Sequence, residues 1–150
     1  MKRDLYLELT DYGFDLAIEN GDFKNQDGMD TALNVSLFTD ARATREQVVV
    51  PENRRGWLGN IVSEVAERQL GGYLWLTEQR RLTQDTLNEV VDYCRKSLVW
   101  LLEDNVCLGL EVTGAIVPRT GIALNVDITA RNGATDSHYF PLWEVTGYGD

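Results

Sequence analysis

The chain has 150 residues, 43% of them hydrophobic and 25% charged, which suits a domain with a core of its own and argues against disorder throughout. Fourteen basic residues against 24 acidic ones leave a net charge of −10 and a pI near 4.5. Such a surface repels phosphate backbones and anionic membranes, and suits a soluble protein or one that docks on basic partners.

Leu5, Leu7 and Leu9 alternate with Tyr6 and Glu8, a strand pattern. Asp11-Tyr12-Gly13 reads as a turn, Phe14 to Ile18 alternates again, and Asn20-Gly21 marks a second turn, so the chain opens with a small β-hairpin or meander. Asp27 is the expected N-cap of a helix over residues 28–39, with Asp30 favouring the positive end of its dipole. Met29, Leu33, Leu37 and Phe38 form its apolar face.

Residues 40–60 have no clear period and carry Arg42, Arg45, Arg54 and Arg55 together with Pro51, Gly56, Trp57 and Gly59. A loop this long within a compact domain is usually functional or disordered, and a large aromatic such as Trp57 argues for order. A short helix is expected over Ile61–Gln69, with Ile61 and Val65 inward and Gly71-Gly72 ending it, and then a short apolar piece at Tyr73–Leu76. The strongest helix signal runs from Gln84 to Glu103, capped by Thr83, with Leu87, Val90, Val91, Cys94, Leu98, Leu101 and Leu102 on one stripe.

The last third reads as sheet. Val106, Leu108, Leu110 and Val112 alternate with Cys107, Gly109, Glu111 and Thr113, and the alternation resumes from Ile122 to Ala130 after a turn at Pro118–Gly121. These two segments predict an antiparallel hairpin with one face on the core. Asn132-Gly133 is a further turn, and Tyr139–Val145 is either a final strand or a peripheral tail. The order predicts an α+β fold, a mainly antiparallel sheet with two or three packed helices. The domain is expected over residues 1–131, with 41–60 as an ordered docking loop and 132–150 as a C-terminal strand or partner-binding tail.

Residues for chemistry are sparse. His138 is the single histidine, no Gly-x-Ser-x-Gly nucleophile elbow is present, and there is no phosphate-binding glycine loop. Cys94 and Cys107 match no metal-ligand spacing, and the acids of 22–30 do not follow a calcium loop. The two cysteines read as reduced thiols, with a bond between helix and strand left open. No catalytic, cofactor or metal residue is expected. A carboxylate pair for glycoside hydrolysis needs a defined separation and one raised pKa, neither of which 24 acids supply by number. No apolar run approaches the roughly 18 residues of a membrane helix, and no signal peptide is visible, so the expected product is cytoplasmic.

The loop is more informative. Arginine forks suit carboxylates, and Trp and Arg are enriched at interface hot spots. Arg42, Arg54, Arg55 and Trp57 on an acidic protein suggest a docking element; the alternative is that the arginines make internal ion pairs and Trp57 is core.

Leu37-Phe38-Thr39-Asp40-Ala41-Arg42-Ala43 followed by Arg54-Arg55-Gly56-Trp57-Leu58-Gly59 resembles the Mu-like prophage tail protein family. Gly72-Tyr73-Leu74-Trp75-Leu76 and the Trp100-Leu101 to Asp104 ending of the long helix are similar to that family's pattern. The resemblance covers roughly residues 12–130. It implies a structural baseplate component of a contractile tail, related to the small wedge protein called lysozyme-like, and it implies that wedge fold. It also implies a virion location, six copies or a multiple, and partners among the larger wedge proteins, with their helical core bundle, and the sheath or inner baseplate. In the wider wedge family an acid, an arginine and a nearby proline form the docking motif. The resemblance places Asp40 and Arg42 at the first two, leaves Pro51 uncertain, and makes Arg54, Arg55 and Trp57 neighbours of the contact. A peptidoglycan hydrolase and a soluble binding domain are the competing readings.

Overall fold

The computed structural model describes residues 3–27, 29–62, 69–78 and 80–142. The fold is α+β, and every ladder between its strands is antiparallel. The chain divides into two compact units, residues 1–35 and 36–150.

In the first unit the expected hairpin or meander is a three-armed junction. β1 (Arg3–Leu5) pairs with β6 (Asn25–Asp27), β2 (Leu7–Thr10) with β3 (Gly13–Leu16), and β4 (Ile18–Glu19) with β5 (Asp22–Phe23). Three backbone bonds close the centre: Tyr6 N–H donates to Lys24 O, Lys24 N–H to Ala17 O, and Ala17 N–H to Tyr6 O. Asn20 (φ 54°) and Gly21 (φ 81°) are both left-handed, as a two-residue hairpin turn requires. Asp27, expected to cap the helix, instead lies in β6 opposite Arg3. The closing ladder holds it extended, and helix α1 (Asp30–Phe38) starts three residues later. Leu33 and Leu37 are buried as expected, while Phe38 at the helix end is partly exposed and meets Phe140 edge-on, with ring centroids 6.1 Å apart.

The second unit is a helix packed on a three-stranded sheet. α2 (Gln84–Leu98) is capped by Thr83, whose Oγ1 accepts from Thr86 N–H at 3.2 Å. The helical run breaks at Val99 and resumes as α3 (Trp100–Glu103), so the single expected helix is two pieces. Leu87, Val90, Cys94, Leu98 and Leu101 of the stripe are buried. The sheet order is β7 (Gly109–Val117), β8 (Gly121–Thr129), β9 (Thr135–Leu142). Central β8 buries Ile122, Leu124, Val126 and Ile128, the alternation read from the sequence. Gly114 lets α2 approach β7 closely: a Cβ there would lie 2.9 Å from Val91 Cγ2 and 3.0 Å from Leu87 Cδ1.

Cys107 was expected in a strand, but precedes it. Asn105 (φ 54°) turns left-handed after α3, and the N–H groups of Val106 and Cys107 both donate to Leu101 O, at 2.8 and 3.2 Å. This carbonyl-satisfying cap consumes the residues that the alternation assigned to β7. Cys94 and Cys107 are both buried free thiols, and burial pushes Cys94 up to about 12. After the Asn132-Gly133 turn, β9 pairs with β8 from Thr135 to Leu142, and the remaining residues of the expected Tyr139–Val145 segment lie outside the described ones. The helix expected over Ile61–Gln69 falls largely on residues 63–68, also outside them. Ile61 was expected inward; it closes a short 3₁₀ turn, Leu58–Ile61, too brief to present an inner stripe, and is 77% exposed.

Candidate docking surface

The segment after α1 runs extended beside Gly72. Ala41 N–H donates to Gly72 O and Gly72 N–H to Thr39 O, both at 2.9 Å, forming a parallel bridge at Asp40. Gly72 has no room for a side chain, since a Cβ would lie 1.9 Å from Ser97 Oγ on α2. In this extended stretch Ala41 and Ala43 are buried and Arg42 between them is exposed. Alternation along an extended backbone therefore sends the Arg42 side chain outward.

The returning limb of the loop is hooked to this stretch. Ala43 N–H donates to Arg54 O at 3.0 Å, and Arg54 Nε donates to Ala43 O at 2.6 Å. Arg55 reaches Asp40 Oδ2 and Glu78 Oε2, each at 3.3 Å, with its guanidinium 4.9 Å from the centre of the Trp75 ring. Trp75 Nε1 donates to Ala41 O at 3.0 Å. Thr44 opens a 3₁₀ turn, Arg45–Gln47, with Thr44 N–H donating to Gln47 Oε1 at 2.8 Å. Hydrogen bonds from the backbone and Thr44 hold Glu46 below the usual carboxylate value. Pro51 is exposed in the turn closed by Asn53 N–H donating to Val50 O.

These contacts divide the five residues read from the sequence. Arg54, Arg55 and Asp40 bond one another's segments inside the chain. Arg42 and Trp57 face outward. Arg42 makes no ion pair among the described residues; its Nη1 donates to Arg55 O at 3.4 Å. Trp57 is 49% exposed, and its indole lies flat over Gly59, where a Cβ would stand 2.2 Å from the ring. Gly56 (φ 118°) tucks beneath Arg42, with no space for a Cβ beside Arg42 Cβ at 2.8 Å.

Arg42, Trp57, Leu58 and Ile61 line a concavity of about 190 Å³. Leu58, Ile61 and Val62 are each about three-quarters exposed, so a cation stands beside a continuous apolar ridge. Asn60 ties this ridge down through two 2.9 Å bonds with the backbone of Leu70. A second and larger concavity, about 720 Å³, is lined by Val48–Val50 and Trp75-Leu76, together with two arginines, Arg55 and Arg80, and two glutamates, Glu52 and Glu78.

Sequence reasoning missed Glu78, Asn60 and the Leu58–Val62 ridge. Glu78 and Asn60 act through partners distant in sequence, which no local pattern announces. The ridge was legible only as apolar residues: the expected helix turned Ile61 inward, and Leu58 and Val62 were given no place in a core or an interface.

The family described as phage protein GP46 matches residues 29–135. The chain is 27% identical over 139 residues to the baseplate protein gp46 of Escherichia phage Mu, covering 91% of this chain and 94% of that protein. It is 25% identical over 126 residues to the Mu-like prophage FluMu protein gp46 of Haemophilus influenzae (strain ATCC 51907 / DSM 11121 / KW20 / Rd), covering 84% and 86% respectively.

Proposed function

The chain belongs to the phage protein GP46 family, and on that basis we propose that it is a structural component of a contractile tail baseplate, located in the virion. Its finer role in this reading is that of an adaptor. The Arg42–Trp57 face docks on the helical core bundle of the larger wedge proteins, and the rest of the protein faces the sheath or inner baseplate. Six copies, or a multiple, match the symmetry that the family resemblance implies.

The observation that supports the contact is the exposed cation beside an apolar ridge on an otherwise acidic protein. Interface hot spots combine this chemistry, an aromatic and an arginine within a patch that loses water on binding. Arg54, Arg55 and Asp40 serve the contact indirectly, by holding the loop in one shape before the partner arrives. Preorganisation of that kind lowers the entropic cost of association.

The test is Arg42→Glu in the phage or prophage that encodes the chain. Assembled tails are expected to be lost while the purified variant unfolds at the wild-type midpoint. Virions that assemble normally would remove Arg42 from the contact. A peptidoglycan zymogram cleared by the purified protein would overturn the structural reading as a whole.

A further inference from the structure

Asn-Gly occurs twice in the chain, at Asn20-Gly21 and Asn132-Gly133, and each pair forms a hairpin turn, the first between β4 and β5 and the second between β8 and β9. Glycine after asparagine leaves its own amide nitrogen unshielded, because it has no Cβ. That nitrogen attacks the asparagine side chain wherever the turn lets the two meet. The two turns differ in how firmly they prevent it.

At Asn132-Gly133 both reacting groups are engaged. Gly133 N–H donates to Ala130 O at 2.9 Å, and Asn132 Oδ1 accepts from Ala134 N–H at 3.0 Å. The first bond holds the proton that must leave before the nitrogen attacks. The second aims the side-chain amide at Ala134 instead of Gly133. Ala130 N–H also donates to Ala134 O at 2.8 Å, and the ladder behind the turn runs on from Thr129–Thr135 to Ile122–Leu142.

At Asn20-Gly21 neither lock is present: among the described residues no hydrogen bond engages the Asn20 side chain or the Gly21 N–H. The ladder behind this turn has only two pairs, Ile18 opposite Phe23 and Glu19 opposite Asp22, and the second sets two carboxylates against each other. Like charges directly opposite weaken a ladder, and short hairpins are marginal in water, so this turn opens readily.

We propose that Asn20 is a site of spontaneous deamidation in the folded protein, and that the fold protects Asn132. Gly21 N loses its proton to solvent base and bonds to Asn20 Cγ. The Cγ–Nδ2 bond then breaks, and the nitrogen leaves as ammonia with a proton taken from water. Water opens the resulting cyclic imide. Cleavage of the new bond leaves aspartate at position 20, and cleavage of the original peptide bond leaves isoaspartate, whose backbone runs through Cγ. No oxidant or reductant takes part. Either product adds one negative charge beside Glu19 and Asp22. Isoaspartate also lengthens a turn whose two residues, Asn20 (φ 54°) and Gly21 (φ 81°), already match what a two-residue hairpin demands, so the β4–β5 ladder is lost with it. The change accumulates with the age of the molecule and does not depend on the docking reading.

The test holds the full-length protein at neutral and at mildly alkaline pH and follows both Asn-Gly peptides by mass spectrometry, with isoaspartyl methyltransferase labelling of the products. In the folded protein Asn20 is expected to react about tenfold faster than Asn132 or more, as the two hydrogen bonds to be broken at Asn132 imply. Both rates should rise with pH, since the attacking nitrogen must first lose its proton. In denaturant, where both turns are gone, the two sites are expected to react at similar rates. Asn132 reacting as fast as Asn20 in the folded protein, Asn20 staying intact there while it reacts in denaturant, or a tenfold difference that persists in denaturant would each overturn the proposal.

Discussion

The helix-on-sheet body of residues 84–142 and the loop of residues 39–62 are held together by different physics. In the body, α2 and β8 meet through leucine, valine and isoleucine side chains that are almost fully buried. In the loop, order comes from side chains hooked to backbone: Arg54 to Ala43, Trp75 to Ala41, Asn60 to Leu70. Apolar burial is cumulative and tolerant of small shifts, at about 1.5–3 kcal/mol for each large side chain. A hook contributes about 0.5–1.5 kcal/mol and depends on one partner being in place. The loop is thus the part of the molecule whose shape can be altered without unfolding the rest.

The largest effect expected on either side of that contrast is Leu98→Ala. Leu98 is fully buried in the α2 stripe, and truncating a leucine there is expected to cost about 2–5 kcal/mol. Urea unfolding measures it. The contrast predicts that the loss appears in global unfolding; if the loop amides alone became exposed, the body would not be the source of stability.

A second, smaller effect reads the body through pH. Burial raises the Cys94 thiol to about 12, so the folded state keeps it neutral where the unfolded chain, near 9, releases the proton. The unfolded state then binds fewer protons, and stability must fall as pH rises from about 9 towards 12. The loss between pH 8 and pH 10 from this group is on the order of 1 kcal/mol. Cys94→Ala should lower stability at both pH values yet remove that share of the alkaline slope. An unchanged slope would place the alkaline sensitivity elsewhere, in Cys107 or Tyr93, which burial also raises.

The same division explains what was legible in the sequence. Leu87 to Leu101 and Ile122 to Ile128 announced themselves because burial imposes a period of 3.6 or 2 on the residues that satisfy it. The loop of residues 39–62 offered no period, so its residue types were readable but not their roles. Arg42 and Arg55 look alike in sequence, and only the extended bridge to Gly72 separates them, turning Arg42 outward while Arg55 folds back on Asp40 and Glu78. Asp27 failed as a cap for a related reason: its partner strand begins at Arg3, more than twenty residues away. The Cys107 strand failed because a helix cap competed for the same residues.

The smallest expected effect is the most specific to the loop. Arg55→Ala removes both ion pairs and the stacking on Trp75. All three charged side chains are more than a third exposed, so solvent screens the pairs and each contributes about 0–1 kcal/mol. Global stability should therefore barely move. The amides of Ala41 and Ala43, bonded to Gly72 O and Arg54 O, should exchange with solvent about two- to tenfold faster, as a local loss of 0.5–1.4 kcal/mol implies. Arg55 is itself left-handed at φ 48°, so Arg55→Gly removes the same clamp while relieving backbone strain. If the clamp orders the loop, Arg55→Ala speeds exchange at Ala41 and Ala43, and Arg55→Gly, with the left-handed strain relieved, does so by less. If exchange is unchanged in Arg55→Ala, the backbone bonds alone hold the loop, and the ion pairs only fix where the Arg55 side chain lies on its surface.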